Sequence, residues 1–124
     1  MGNKKVSRLI FVAGLVTGAV CFIYYYAHQL TVAHYDAKAH LLVARRIVDS
    51  LEPGYAQMGA HWLPLIHLIY LPLVLFESQY RSGLLPSLIS VVSFAVSVWL
   101  TYRISYRVTG SIASGAFAAV ILMA

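Results

Sequence analysis

Charged residues are scarce in this sequence. Asp, Glu, Lys and Arg together make up 10% of its 124 residues, whereas a soluble domain usually contains about 25%. Hydrophobic residues make up 60%, and the mean hydropathy is +0.77. A composition this poor in charge is typical of an integral membrane protein, so we expect one here rather than an ordinary soluble domain.

Cysteine is nearly absent as well. The single cysteine, Cys21, excludes an intramolecular disulfide and a cysteine-based metal cluster. The net charge is +5, but the basic residues are scattered and form no stripe or nucleic-acid-binding motif. We therefore expect membrane lipid as a partner and no nucleic acid.

The first long apolar run follows a basic N-terminus. Residues 9–27 are 19 positions without a charge, which is enough for one helix across roughly 30 Å of hydrocarbon. Three basic residues precede the run (Lys4, Lys5 and Arg8). Because positive flanks indicate the cytoplasmic side, the sequence predicts a transmembrane helix over 9–27 with its N-terminus in the cytoplasm.

An amphipathic segment follows the first span. From Asp36 to Leu51, apolar residues recur at spacings of three and four. They are Ala37, Leu41, Ala44, Val48 and Leu51, with Lys38, Arg45, Asp49 and Glu52 on the opposite, polar face. Arg45 and Asp49 are four apart and can pair, and Pro53-Gly54 ends the segment. A helix with this pattern lies in the membrane interface, so we expect an exoplasmic juxtamembrane helix over 36–51.

Two topologies are open for the rest of the chain. The apolar segment 61–76 is short and contains Pro64 and Pro72, whereas 84–102 is 19 residues without a charge and 111–124 begins a further apolar run. If 61–76 crosses the membrane, there are four spans, and the arginines after the 84–102 span face outside. If 61–76 lies on the membrane, there are three spans, and those arginines face the cytoplasm.

The positive-inside rule favours three spans. We therefore expect an all-α integral membrane protein, with four spans as the alternative, in a bacterial plasma membrane. Small residues predict close helix packing in lipid. They are the Gly14–Gly18 pair of a GxxxG pattern, Ser111 and Gly115 in the last run, and a hydroxyl series on 84–102 (Ser87, Ser90, Ser93, Ser97 and Thr101).

Three motifs occur in a characteristic order. They are His34-Tyr35-Asp36-Ala37-Lys38-Ala39-His40, then His61-Trp62-Leu63-Pro64-Leu65-Ile66-His67, then Tyr102-Arg103-Ile104-Ser105-Tyr106-Arg107-Val108-Thr109-Gly110 before an Ala-rich run. From Leu9 onward the chain resembles the N-terminal part of a GT-C-fold glycosyltransferase. This class includes protein O-mannosyltransferases, aminoarabinose transferases and oligosaccharyltransferases.

The resemblance implies sugar transfer from a polyprenyl-phosphate donor to an acceptor at the exoplasmic face. Such enzymes place a catalytic or metal-associated Asp in the first exoplasmic loop, and Asp36 matches that position. A carboxylate there accepts or orients the proton of the acceptor, or holds a divalent cation that does so. The residues expected to bind substrate, chiefly the departing phosphate, are Lys38, His40, Arg45, His61 and His67, with Arg46 as a further candidate. His40 is also one helical turn from Asp36 and can act with it.

Other roles stay open for these residues. Asp36 begins a helix, so its carboxylate also suits an N-cap, which is compatible with catalysis. The histidines fit a metal site, although histidine at a membrane interface is more often a polar tip on an amphipathic body. We assign no set of metal ligands.

Length sets the sequence apart from the class it resembles. GT-C enzymes run to several hundred residues, so we expect the chain to be an N-terminal fragment that is inactive on its own. The alternative is a small non-enzymatic membrane protein that acts as a subunit or assembly factor.

Overall fold

The computed structural model describes residues 2–59 and 62–124. These residues form helices joined by turns, without a strand among them, which confirms the prediction of an all-α chain. The helices are α1 (Gly2–Ala27), α2 (Tyr35–Val48), α3 (Pro64–Val74), α4 (Glu77–Ser82), α5 (Leu84–Thr109) and α6 (Ile112–Met123), with a 3₁₀ helix at Tyr55–Met58. The chain divides into two compact units, of which unit 1 is 1–23 with 89–124 and unit 2 is 24–88.

Two helices have the length and composition of membrane spans. Lys4–Ala27 of α1 and Leu84–Thr109 of α5 contain 24 and 26 residues. At 1.5 Å per residue they extend about 36 and 39 Å, which exceeds the thickness of a bilayer's hydrocarbon core. The helix α3 has 11 residues and an internal proline, Pro72, and extends only about 16 Å.

Helix α5 continues to Thr109, past the uncharged run 84–102, so Arg103 and Arg107 belong to its last turns. A span predicted from hydropathy stops at the first charge, whereas arginine is a good helix former and lets the helix continue. The structure corrects one predicted helix end. Helix α2 stops at Val48 rather than Leu51, because the backbone of Asp49 is no longer helical. The Asp49 N–H still donates the last hydrogen bond of the helix, to the Arg45 carbonyl.

In unit 1, α1 packs closely on α5 through two glycines. A Cβ atom added at Gly14 would lie 3.2 Å from Ala95 Cα, and one added at Gly18 would lie 3.2 Å from Val91 Cγ1. The residue numbers on α5 fall as those on α1 rise, so the two helices are antiparallel. The GxxxG pattern therefore serves packing within the chain.

The serine face of α5 is not the face that packs on α1. Ser90, Ser93 and Ser97 are exposed, whereas Ala95 and Val98 are fully buried. The prediction that the hydroxyl series forms the packing face is therefore wrong for this helix pair. Small apolar residues and small polar residues recur at similar spacings on a helix. Spacing alone therefore does not show which of the two faces packs on a neighbouring helix.

Helix α6 completes the core of unit 1. Its Gly115 lies against Tyr102 so closely that an added Cβ atom would be 2.9 Å from the Tyr102 ring. Tyr102, Val98 and Ala119 form a core cluster in which each residue is fully buried. Ser111 caps α6, since its Oγ accepts a hydrogen bond from the Ser114 N–H. The predicted packing role of Gly115 is confirmed.

One end of unit 1 is fixed by a polar contact. Trp99 Nε1–H donates a hydrogen bond of 2.8 Å to Ser7 Oγ, so the last third of α5 lies beside the first turns of α1. The Arg103 guanidinium lies over the Trp99 ring, 5.1 Å from its centre. Ser7 is 8% exposed, and its hydroxyl satisfies the indole N–H within this packed end.

In unit 2, α2 packs lengthwise against α3. The buried face of α2 consists of Leu41, Ala44 and Ile47. The predicted apolar face is confirmed at Leu41 and Ala44 but is wrong at Val48 and Leu51, which are exposed. Tyr70 and Val74 of α3 are also buried. This packing places His40 of α2 beside His67 in the first turn of α3.

The loop before α2 is held by the turn between α4 and α5. Thr31 Oγ1 donates a hydrogen bond of 2.6 Å to the Ser82 carbonyl. Gly83 has a φ of +62°, and a Cβ atom there would lie 2.7 Å from Val32 Cγ1. Glycine is needed at this position because both the left-handed backbone and the close approach of Val32 disfavour a side chain.

Candidate functional site

Asp36 lies in the first turn of α2, nine positions after the last residue of α1. Its side chain is exposed. Among the described acidic residues, Asp49 and Glu77 form ion pairs, whereas none is found for Asp36. Its carboxylate is therefore available to a ligand that approaches from outside the helix.

The N-cap of α2 is His34 rather than Asp36. His34 Nδ1 accepts a hydrogen bond of 3.3 Å from the Asp36 N–H. The prediction that Asp36 supplies the cap is wrong, because the helix begins one residue earlier and Asp36 is already helical. A negative charge in the first turn is still favoured by the helix dipole, and the side chain keeps its oxygens for other partners.

His40 and His67 are hydrogen-bonded to each other across the α2–α3 contact. The distance from His40 Nδ1 to His67 Nε2 is 3.0 Å. One of the two nitrogens must accept, so at least one ring is neutral. The Trp62 ring packs against His40 with its centre 4.6 Å away, in an edge-to-face arrangement. We call Asp36, His40, His67 and Trp62 the α2–α3 site.

Burial keeps His67 uncharged. Its side chain is fully buried, and this burial, followed by the proximity of His40, lowers the pKa of His67. The Leu63 carbonyl acts in the opposite direction, but no described residue makes a hydrogen bond of ordinary geometry to His67 Nδ1. A neutral His67 can therefore hold the ring of His40 in one orientation without adding charge to the site.

The spacing of Asp36 and His40 allows them to act together. They are one turn apart on α2 and therefore project from the same face. The carboxylate can accept a proton, and an imidazole can donate a hydrogen bond to an anionic oxygen. The sequence predicts both residues at the site. It also predicts that His67 binds substrate, which is wrong for this arrangement, because His67 is fully buried and contacts His40 instead.

Arg45 is engaged in contacts that hold unit 2 together. Its Nε donates to Asp49 Oδ2 at 2.8 Å, its Nη1 donates to the Val74 carbonyl at 2.6 Å, and Glu77 Oε2 is 3.3 Å from Nη1. The hydrogen bond to Asp49 raises the pKa of the guanidinium. The predicted Arg45–Asp49 pair is confirmed. A substrate phosphate would have to displace these partners, so we regard Arg45 as a link between α2, α3 and α4.

A small cavity adjoins the site on the side of the 3₁₀ helix. Its volume is about 260 Å³, and it is lined by Val43, Arg46, Ala56, Gln57, Met58, Gly59 and Trp62. Arg46 Nη2 donates to Gln57 Oε1 at 3.0 Å, and Gln57 Nε2 donates to the Glu52 carbonyl. Trp62 lines this cavity and also contacts His40. The position of Gln57 was not predictable, because the short segment around it has no periodic pattern.

One predicted substrate-binding residue, Lys38, lies apart from these contacts. Lys38 is exposed and is two positions from Asp36, which places it on another face of α2. His61 lies outside the described residues. Among 2–59 and 62–124, there is no group of three or more His, Cys, Asp or Glu side chains that could hold a metal ion.

Comparisons with known proteins give no relative from which a site could be transferred. No family model, no curated protein and no solved structure matches the chain.

Proposed function

We propose that this chain contributes the donor site of a GT-C-type membrane glycosyltransferase, which transfers a sugar from a polyprenyl-phosphate donor to an acceptor at the exoplasmic face. One observation carries the proposal. An exposed carboxylate without an ion-pair partner, Asp36, follows closely on a helix of membrane-spanning length. A histidine pair lies one turn further along. This arrangement suits a base that meets a lipid-linked substrate at a membrane surface.

The proposed topology has three spans, formed by α1, α5 and the segment that includes α6. The hydrogen bond between Trp99 and Ser7 supports it, because the end of α5 must then return to the side of the membrane on which α1 begins. A third crossing between them, by α3, would put Trp99 on the opposite side. We therefore propose that α2 and α3 lie at the exoplasmic surface, with the N-terminus in the cytoplasm.

In the proposed reaction, the acceptor hydroxyl or amide attacks the anomeric carbon of the donor sugar. The bond from that carbon to the phosphate oxygen breaks, and the polyprenyl phosphate leaves with the bonding electrons. Asp36 takes the proton of the acceptor. His40 donates a hydrogen bond to the departing phosphate, and His67 is a positioning residue that fixes the His40 ring.

A divalent cation is not part of this proposal. The α2–α3 site offers one carboxylate, Asp36, and His40 already uses Nδ1 in its hydrogen bond to His67. A hard cation such as Mg²⁺ prefers several oxygen ligands. The described residues do not supply them, so every step is assigned to the side chains themselves.

The proposal is tested by measuring sugar transfer from a defined lipid-linked donor. Because the chain is expected to be inactive on its own, the membranes would come from cells with the native gene intact and from cells in which it is deleted. Both would be supplied with a radiolabelled polyprenyl-phosphate sugar, and label in the aqueous or protein fraction would be measured. We expect gene-dependent transfer that requires the lipid phosphate. Equal transfer in both membranes, with a panel of sugars, would contradict the proposal and support a non-enzymatic subunit.

A further inference from the structure

The net positive charge of the chain lies entirely in unit 1. Unit 1 contains five basic residues and no acidic residue, whereas unit 2 contains four of each. The five are Lys4, Lys5 and Arg8 in the first turns of α1, and Arg103 and Arg107 in the last turns of α5. Because the two helices are antiparallel, these charges meet at one end of unit 1.

A cavity lies among these basic residues. Its volume is about 520 Å³, and it is lined by Lys4, Ser7, Arg8, Trp99 and Arg103. Lys4 and Arg8 are one turn apart on α1, and Trp99 and Arg103 are one turn apart on α5, so each helix presents one face to the cavity. We call this the basic cavity. Among the described residues, three cations line it and no carboxylate does.

The side chains of the basic cavity are held without using an acidic partner. Trp99 is fixed by its hydrogen bond to Ser7 Oγ, and Arg103 rests on the Trp99 ring through a cation–π contact. Among the described residues, the ion pairs are formed by Arg45 and Arg81, not by Arg103. Its guanidinium therefore keeps donors for an anion, and guanidinium is well suited to bidentate contact with phosphate oxygens.

The surface next to the basic cavity is apolar. Leu9, Val12 and Val16 of α1 are 67%, 51% and 56% exposed, and this aliphatic surface begins one residue after Arg8. On a helix that is long enough to span, such a surface faces acyl chains. In the proposed topology, the cavity therefore lies at the depth where the hydrocarbon ends and lipid phosphates begin, which is also where tryptophan is enriched.

We propose that the basic cavity binds the phosphate of an anionic phospholipid in the membrane leaflet on the N-terminal side. Arg103 and Arg8 contact the phosphate oxygens, Lys4 adds charge from the aqueous side, and the acyl chains lie along the exposed aliphatic residues of α1. A free phosphate ion would use the cations but not the apolar surface. The bound lipid joins the first turns of α1 to the last turns of α5 and fixes their depth in the bilayer.

Trp99 provides a direct readout of binding. The chain has two tryptophans, so Trp62→Phe leaves Trp99 as the sole tryptophan, and its emission can be excited selectively. The full chain in a non-ionic detergent would be titrated with phosphatidylglycerol, with phosphatidylcholine and with inorganic phosphate. We expect a saturable change in Trp99 emission, together with a rise in melting temperature, with phosphatidylglycerol alone.

Matched variants separate a bound site from diffuse attraction. Arg103→Gln and Arg8→Gln should each weaken phosphatidylglycerol binding about fivefold, which corresponds to about 1 kcal/mol for one basic side chain near an anionic surface. Arg107→Gln and Lys5→Gln remove the same charge from the same two helices but do not line the cavity. They should change binding less than about twofold, because their charges act on the bound phosphate only from outside the cavity, where solvent and salt screen them. Lys4→Gln provides a cavity variant at an exposed position, where misfolding is not expected.

Three results would overturn the proposal. Equal weakening by the cavity variants and the control variants would indicate a diffuse surface field. Equal binding of phosphatidylcholine would show that anionic charge is not recognised. Saturation by inorganic phosphate at the same concentration as by lipid would identify a free-phosphate site instead.

Discussion

His40 Nδ1 lies 3.0 Å from His67 Nε2, and this hydrogen bond joins α2 to the first turn of α3. His67 is fully buried, whereas His40 is half-buried beneath Trp62. The pair therefore connects the interior of unit 2 to the surface that carries Asp36. Protonating His67 or replacing it should alter both the packing of α2 on α3 and the orientation of the His40 ring.

The stability of unit 2 should fall in mild acid because of His67. Burial lowers the pKa of His67 in the folded protein, so the unfolded chain binds this proton more readily. The contribution of His67 to stability is complete above the unfolded value of about 6.5. It is lost as the pH falls from there toward the lowered pKa.

The measurement is the free energy of unfolding between pH 8 and pH 4 for the wild type and for His67→Gln. The wild type should have the steeper loss below about pH 6.5, with one proton contributing a slope of at most about 1.4 kcal/mol per pH unit. Glutamine does not titrate and can still hydrogen-bond to His40. Identical pH profiles would show that His67 does not govern the acid response.

Arg45 and Arg46 should have separable effects. Arg45→Gln removes the contact with the Val74 carbonyl and the links to Asp49 and Glu77, so the melting temperature should fall. The affinity for the donor should not change in membranes that contain the folded variant. Arg46→Gln is the matched neighbour, which loses its contact with Gln57 at the cavity, and it should weaken donor binding with less effect on melting. The reverse pattern would assign the phosphate to Arg45.

Gly83→Ala should destabilise the protein more than Gly110→Ala. Both glycines have a left-handed backbone, with φ of +62° and +68°, so each alanine should cost about 1–2 kcal/mol in backbone strain. Only at Gly83 does the new Cβ atom also meet a neighbour, Val32 Cγ1 at 2.7 Å. Unfolding in mixed micelles would measure both. Equal losses would mean that Val32 moves aside without cost.

Topology should be readable by cysteine labelling. Cys21 is the sole cysteine, so Cys21→Ser gives a background for Leu51→Cys and Ser105→Cys. In the three-span arrangement, an impermeant maleimide should label position 51 in intact cells and position 105 only after permeabilisation. Leu51 is fully exposed, which makes it a suitable positive control. Labelling of position 105 from outside would favour four spans.

The sequence predicts the helices better than it predicts their ends. Long stretches without charge predict helices that are long enough to span a membrane. Of these, α1 ends at Ala27 as expected. The hydropathy criterion stops at Arg103, although the helix continues to Thr109, because hydropathy measures membrane burial and not helix propensity. Pro64 marks the start of α3, because it occupies the first turn of that helix, where proline is favoured.

The site was only partly predictable. Asp36 and His40 are linked by helical spacing, which a sequence displays directly. His67 is 27 positions from His40, and their contact depends on how α2 packs on α3, which no local pattern specifies. The hydrogen bond from Arg45 to the Val74 carbonyl also depends on how α2 packs on α3. Its pairing with Asp49 is local, and for that reason it was predictable.

The most direct test of the central claim is the rate of sugar transfer in Asp36→Asn membranes relative to Glu52→Gln membranes. Glu52 is also an exposed acid of unit 2, and the described residues form no ion pair with it, so its substitution controls for loss of charge. Loss of a positioned base should slow transfer by about 100-fold or more, with both variants present at wild-type levels. Equal transfer rates in the two variants would contradict the assignment of Asp36 as the catalytic carboxylate.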